Sequence, residues 1–303
     1  MNNPYDILIL GGGPIAASTA YFLTQEKTAD IGLLMQEPTD SHSATYQYAG
    51  GSIRWFWPDE LKTEMTTQTA EFIKNLDAQG VDLSLLNDNY LFMARGKYVP
   101  SINVSGKKLV EWFLQQAQES GLAIHQKQEI ISVTQQEEMW HVKTATDEYL
   151  AKKVLMALGV NNKKVIADYE VEVEKRELFV LDLPVTATEE QFPHTIIPIN
   201  EGVVYIFIKK FPEGMRFVVG QEDILNSAEI EADQQFSELM AAGLGDLMPF
   251  LKEAKVEKIL WGNDAGNKTL RVDQRGSLFI ANCGSAIRSC VWIGKELTKR
   301  LLQ

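Results

Sequence analysis

The chain is short of several things. It holds 2 cysteines and 4 histidines in 303 residues. Two cysteines cannot make a disulfide framework, and without a CxxC or a Cys/His cluster nothing points to zinc or any other metal. Cys283 and Cys290 read as thiols of a reducing compartment, so a cytoplasmic setting is expected. No apolar run is long enough to span a bilayer, and no leader-like stretch stands before the first apolar segment. Basic charge is scarce: 29 Lys and Arg face 41 Asp and Glu, a formal net charge of −12. That balance argues against a general nucleic-acid binder. The acidic excess is dispersed, as at Glu170, Glu172, Glu174 and Glu177, and reads as solvated surface. There is no repeat and no low-complexity segment. What is present, 45% apolar and 23% charged residues, suits a globular protein long enough for two lobes.

The first sixteen residues carry the strongest signal. Residues 5–10 read YDILIL, suited to a buried strand; Gly11-Gly12-Gly13-Pro14-Ile15-Ala16 follow, and then the helix-forming stretch from Ala17 to Leu23. Strand, glycine turn and helix in this order make a Rossmann unit. Gly11 suits the tight turn. Gly13 lets the backbone approach a pyrophosphate. Ala16 allows helix and strand to pack closely, and the helix N-terminus offers N–H groups and positive dipole to phosphates. The second strand is expected at 31–35, and an acidic residue should end it to hold the adenosine ribose. Gln36 stands there instead, with Glu37 next. Either Gln36 bonds the ribose without charge assistance, or Glu37 does so after a small shift. No Lys or Arg follows immediately, which disfavours a 2′-phosphate.

Farther on, the pattern predicts a helix from 58–60 to 79, a strand at 90–94 and a helix from 105 or 106 to 121. Strand-like pieces follow at 123–125, 129–134, 140–144 and 153–157. From 175 to 221 the chain turns β-rich, and a helix is expected at 230–244 and a strand at 256–261. The end repeats the opening plan, with a strand at 277–281, a turn at 282–285 and a helix from 287 to 302. The expected fold is α/β. A Rossmann-like lobe with a central parallel sheet (1–80, 105–168 and 256–303) is built from both chain ends, and a β-rich α+β substrate lobe (81–104 and 169–255) is inserted.

Together these residues resemble the FAD-dependent D-amino-acid oxidase superfamily, in the style of its glycine and sarcosine oxidase branch. GGGPIAASTAYFL is similar to the family's opening fingerprint, and YAGGSIRWFW to its flavin-contacting segment. KKVLMALGVNN is similar to its strand ending beside the cofactor, and SLFIANCGSAIRSCVWIGKELTKRLL to its closing strand, turn and helix. The resemblance implies that Gly11, Gly13, Pro14, Ile15 and Ala16 line the FAD pyrophosphate. Gln36 and Glu37 would lie near the ribose, and Thr45 near the pyrophosphate or ribityl chain. Gly50, Gly51 and Ser52 would approach the isoalloxazine. The Ile130 backbone would meet the adenine, and Ala157 and Gly159 would pack beside the cofactor. Gly284, Ser285 and Ala286 would present amides to the flavin's pyrimidine edge. The chain departs from the family in its length, in a reduced glycine turn at 283–286 and in lacking a legible Pro-Asp-Gly segment after Trp261. The usual covalent-linkage positions have no clear counterpart, so noncovalent FAD is expected, with Cys283 or His42 as the alternative anchors.

In such a protein the flavin accepts a hydride from a C–H beside nitrogen, and no Ser/His/Asp triad is legible or needed. A substrate carboxylate needs a cation. Arg54 is the first candidate because it follows the glycine segment. Arg288 is second and Arg216 third. Tyr48, Tyr205, Trp55, Trp57 and Trp261 are candidates for the pocket wall, Tyr48 among the catalytic residues; His125 and His141 receive no role. Two functions stay open. One is a flavoenzyme oxidising a small amine or amino acid to an imine. The other is a flavin-binding or catalytically degenerate partner subunit. The expected partner is a small molecule, with no nucleic acid and no membrane; a homo-oligomer or a partner complex fits either.

Overall fold

The computed structural model describes residues 3–36, 45–49, 51–55, 57–92, 96–185, 192–199, 202–211, 213–222, 232–266 and 270–303. Glu37, His42 and Gly50 lie outside them, as do the side chains of Thr45 and Tyr48.

Strand β1 (Tyr5–Leu10) ends in four fully buried residues. Such a run suits a strand covered on both faces, and β1 lies between two parallel neighbours, β2 (Ile31–Leu34) and, farther along the chain, β9 (Glu148–Met156). Helix α1 (Pro14–Glu26) crosses between β1 and β2. The chain then makes the short helix α2 (Thr45–Tyr48), strand β3 (Ser52–Arg54) and helix α3 (Glu60–Ala78). The Asp59 carboxylate caps α3 by accepting from the Lys62 N–H at 2.7 Å. Strands β4 (Leu86–Phe92) and β5 (Lys97–Asn103) form a hairpin, followed by helix α4 (Gly106–Glu119), strand β6 (Ala123–His125) and the hairpin β7 (Ile130–Gln136) and β8 (Met139–Thr144).

After β9 and a turn of helix α5 (Asn162–Val165) comes a long antiparallel run: β10 (Val173–Pro184), β11 (His194–Ile199), β12 (Gly202–Phe211) and β13 (Gly214–Glu222). Helix α6 (Ala232–Leu239) passes through a widened turn at Met240–Leu244, where Gly243 breaks the helix, into the single turn α7 (Gly245–Leu247). The helix expected to run unbroken to 244 therefore ends at 239. Strands β14 (Val256–Ala265), β15 (Arg271–Arg275) and β16 (Leu278–Asn282) lead to the closing helix α8 (Cys290–Leu302).

Among the described residues two eight-stranded sheets result. The first has the order β15-β16-β9-β1-β2-β6, with β7 and β8 joined to β9. The second has the order β14-β10-β13-β12-β11-β4-β5-β3. This is the expected Rossmann-like sheet made from both chain ends, with a β-rich lobe inserted. Two strands cross the expected boundaries: β3 and β14 were assigned to the cofactor lobe, but β3 pairs with β5 and β14 with β10 in the second sheet. One face of the second sheet is sealed by Phe236 and Leu239 of α6 over Phe179, Ile197, Val204, Ile206, Phe217 and Val219. Its opposite face has a smaller apolar centre of Leu178, Val180, Phe207 and Val218.

Candidate active site

Strands β2, β1, β9 and β16 are all parallel, so their carboxyl ends share one edge. The turns leaving that edge are Gly11–Gly13 after β1, Met35–Gln36 after β2, Ala157–Gly159 after β9 and Cys283–Ala286 after β16. The chain leaves β1 toward β2 on one side and returns as β9 on the other. A ligand crevice forms at such a reversal. Gly11 makes the reversal sharp. Its φ is +126°, and a Cβ there would lie 2.4 Å from the Ala157 carbonyl oxygen. No side chain caps α1, and a Cβ on Gly13 would meet nothing within 4 Å. The first turn of α1 thus offers uncapped N–H groups to open space, the setting that favours a phosphate. Gln36 is exposed at the end of β2. Met35 beside it donates to the His125 carbonyl and accepts from the Gln128 N–H, which brings the approach to Ile130 to the same edge. Asn162 and Asn282 tie the 157–162 turn to β16: Asn162 donates to the Ala281 carbonyl at 3.2 Å and Asn282 to the Gly159 carbonyl at 3.4 Å.

The face of the second sheet opposite α6 supplies the other wall. Register places Ser52, Arg54, Ser101, Asn103, His194, Tyr205, Phe207 and Lys209 on it. Ser52 Oγ, Ser101 Oγ and Asn103 Nδ2 are buried there with no hydrogen-bond partner among the described residues. Buried polar atoms are normally paired, so a polar group is expected to complete this corner. Beside it, the Arg54 guanidinium lies 3.6 Å from the Trp57 ring centroid, Lys62 Nζ 3.8 Å and the Arg288 guanidinium 5.2 Å. Three cations thus gather around one indole in a chain of net charge −12. His194 stacks on Phe207 at 4.8 Å. Burial, then the charges of Arg288 and Arg54, hold its pKa well below the usual imidazole value, so the ring is neutral at neutral pH.

The sequence of residues 95–300 matches the family model described as FAD dependent oxidoreductase. The chain belongs to this family. Members of the FAD dependent oxidoreductase family bind FAD, and the open space before Gly13 and the unpaired polar corner at Ser52, Ser101 and Asn103 fit such a group. No curated sequence matches the chain. Its fold is similar to that of L-proline dehydrogenase from P. horikoshii, at 14% identity and a TM-score of 0.79, covering 99% of this chain and 93% of that one. Iminodiacetate oxidase from Chelativorans sp. is similar at 19% identity and a TM-score of 0.74, covering 98% and 95%. Glycine oxidase from Geobacillus kaustophilus is similar at 15% identity and a TM-score of 0.72, covering 99% and 95%.

Within this FAD dependent oxidoreductase, Gly11, Gly13, Pro14, Ile15, Ala16, Gln36, Ala157, Gly159, Gly284, Ser285 and Ala286 stand at one sheet edge. Arg54 and Arg288 come together at Trp57. Gly51, whose φ is +70°, and Ser52 stand where β3 meets β5. The Ser285 amide, which the resemblance turns toward the flavin's pyrimidine edge, donates to the Asp264 carboxylate at 3.1 Å. Arg216 is committed to Glu257 at 3.1 Å. By register Trp261 shares the face of Phe179 and Ile259, opposite the one carrying Tyr205. His125 bonds Tyr5 and His141 pairs with Glu148, each at 2.7 Å, which accounts for both. His194, Lys209 and Asp264 were missed, and no motif surrounds any of them. Among the described residues there is no metal-binding group, and no helix is long and apolar enough to cross a membrane.

Proposed function

We propose that the protein holds FAD without a covalent bond and oxidises a small amine or amino acid to its imine. The observation that carries this reading is the meeting at Trp57 of Arg54, from the second sheet, and Arg288, from the turn after β16. Bound FAD supplies the hydride acceptor for the C–H beside the substrate nitrogen. The residues of the chain do the rest. Arg54, supported by Arg288, takes the carboxylate of an amino acid, and the planar guanidinium accommodates both oxygens. Trp57 keeps the Arg54 fork flat and dry, which strengthens the pair. The same positive charges disfavour an ammonium nearby. They promote loss of its proton to water, and the nitrogen lone pair then forms the C=N bond as the hydride departs, which leaves a protonated imine that yields its own proton to water. Neutral His194 adds no competing charge.

Cys283 supports the noncovalent reading. It is 6% exposed, and burial pushes its thiol pKa up to about 12, so it stays a thiol rather than a nucleophilic thiolate. The purified protein is expected to be yellow, and acid precipitation should release all the colour into the supernatant. Colour kept in the pellet would count against a noncovalent cofactor. A colourless protein that takes up no added FAD would overturn the whole reading.

A second reading, a flavin-binding partner subunit that does not turn over, is favoured by one contact. Asp264 occupies the Ser285 amide and so brings negative charge to the turn before the closing helix. Anaerobic flavin reduction separates the two. Bleaching of the visible band by some member of an amine and amino-acid panel supports the enzyme. A flavin inert to every member supports the subunit.

A further inference from the structure

One cation on the same face of the second sheet has no part in that chemistry. Lys209 is 8% exposed, and its ammonium donates to the Ala49 carbonyl, 160 residues away in the chain. Among the described residues it makes no ion pair. Its cross-strand neighbour is Arg216, itself held by Glu257, so the residue opposite it brings no counter-charge. Burial alone draws its pKa down to about 8. An ammonium removed from water and given one carbonyl is costly, and a methionine would fill the same space without that cost. A group retained at a cost to folding points to a task beyond holding the fold.

Its partner identifies the task. Ala49 lies between α2 and β3 in the segment that runs into Gly51. On its far side this turn is fixed by Val104, whose N–H donates to the Gly51 carbonyl at 3.0 Å, and a Cβ on Gly51 would lie 1.8 Å from the Val104 carbonyl oxygen. The Ala49 side chain packs against the core cluster that holds Ile53, Ile102 and Val104, and Lys209, from β12, supplies the hydrogen bond that holds its carbonyl. We propose that Lys209 is a positioning residue, whose ammonium clamps the Ala49 carbonyl so that the inserted lobe sets how closely the 49–52 turn approaches the flavin. The inference rests on FAD binding between the two sheets.

The test uses the full chain with Lys209→Met and Lys209→Arg. In the apoprotein, amide hydrogen exchange over residues 46–54 should quicken by on the order of tenfold in Lys209→Met, because one charge-assisted hydrogen bond restrains the turn. Lys209→Arg should restore most of the protection. Titration with FAD should show binding weakened by about tenfold in Lys209→Met, with a shifted visible band, and recovery in Lys209→Arg. The melting temperature of Lys209→Met should be no lower than wild type. Unchanged exchange overturns the clamp. Faster exchange with unaltered FAD affinity and spectrum overturns the positioning role, as does a clear loss of thermal stability. If wild type takes up no FAD, the proposed function falls, while the exchange result still decides whether Lys209 holds the turn.

Discussion

Gly13→Val is expected to leave the apoprotein folded and to abolish FAD uptake. The two halves of that result have separate physical causes. Gly13 has φ −86° and ψ −178°, extended backbone open to any residue, and an added Cβ meets no protein atom within 4 Å. The backbone therefore carries no strain, and the new Cβ has room in the empty protein. The space the valine enters lies before the uncapped first turn of α1, where the pyrophosphate must approach the backbone closely. Displacing it by the width of a side chain forfeits several charge-assisted hydrogen bonds, a loss of at least about a hundredfold in affinity. Melting curves of the apoprotein and a fluorescence titration with FAD check both halves. Binding within a few-fold of wild type would show that the phosphates do not lie against Gly13. Gly11→Val is the control that should fail differently. At φ +126°, and with the Ala157 carbonyl oxygen 2.4 Å from the new Cβ, the strain falls on the apoprotein itself.

The contrast between these glycines also marks what could be read from the chain. Strand, glycine turn and helix at the start, and their repetition at the end, are local signals, and each lies where its local pattern requires. Four separate turns then share one edge because their strands are parallel, so a correct fold class brings together the turns of the proposed cofactor side. The second wall has no local signal. His194 faces Phe207, and Lys209 reaches Ala49, only through the register of β11, β12 and β13, which comes from pairing between distant segments. The apolar run that makes β14 is visible in sequence, but its antiparallel pairing with β10 is not. β14 therefore pairs into the second sheet although the expected boundary stands at 256. β5 was missed because Lys97–Asn103 mixes charge, proline and polar residues, and Ser101 and Asn103 face the polar corner rather than a core. Asp264 escaped notice because an acidic residue in a polar stretch is ordinary until a backbone amide is found against it.

Arg54→Met is expected to lower kcat/KM for an amino-acid substrate by on the order of a hundredfold, the worth of a desolvated, charge-assisted bidentate contact. Flavin content should be unchanged. Methionine keeps most of the aliphatic stem, so packing against the Trp57 ring and the pairing of β3 with Ser101 survive, and the loss reports the charge rather than the fold. Arg54→Lys should recover only part of the loss, since a single ammonium cannot reproduce the planar fork. The comparison that decides the role is anaerobic flavin reduction by amino acids and by the matching amines without the carboxylate. Wild type should prefer the acids, and Arg54→Met should lose that preference while its slow reaction with amines stays as it was. Two results would remove Arg54 from the role: a variant indistinguishable from wild type, or a wild type that accepts amines as readily as acids. In the first case Arg288, 5.2 Å from the same indole and the second cation of the cluster, becomes the carboxylate anchor to test. In the second, the positive charge around Trp57 acts on the substrate nitrogen alone: it disfavours the ammonium and leaves the free amine that the oxidation consumes.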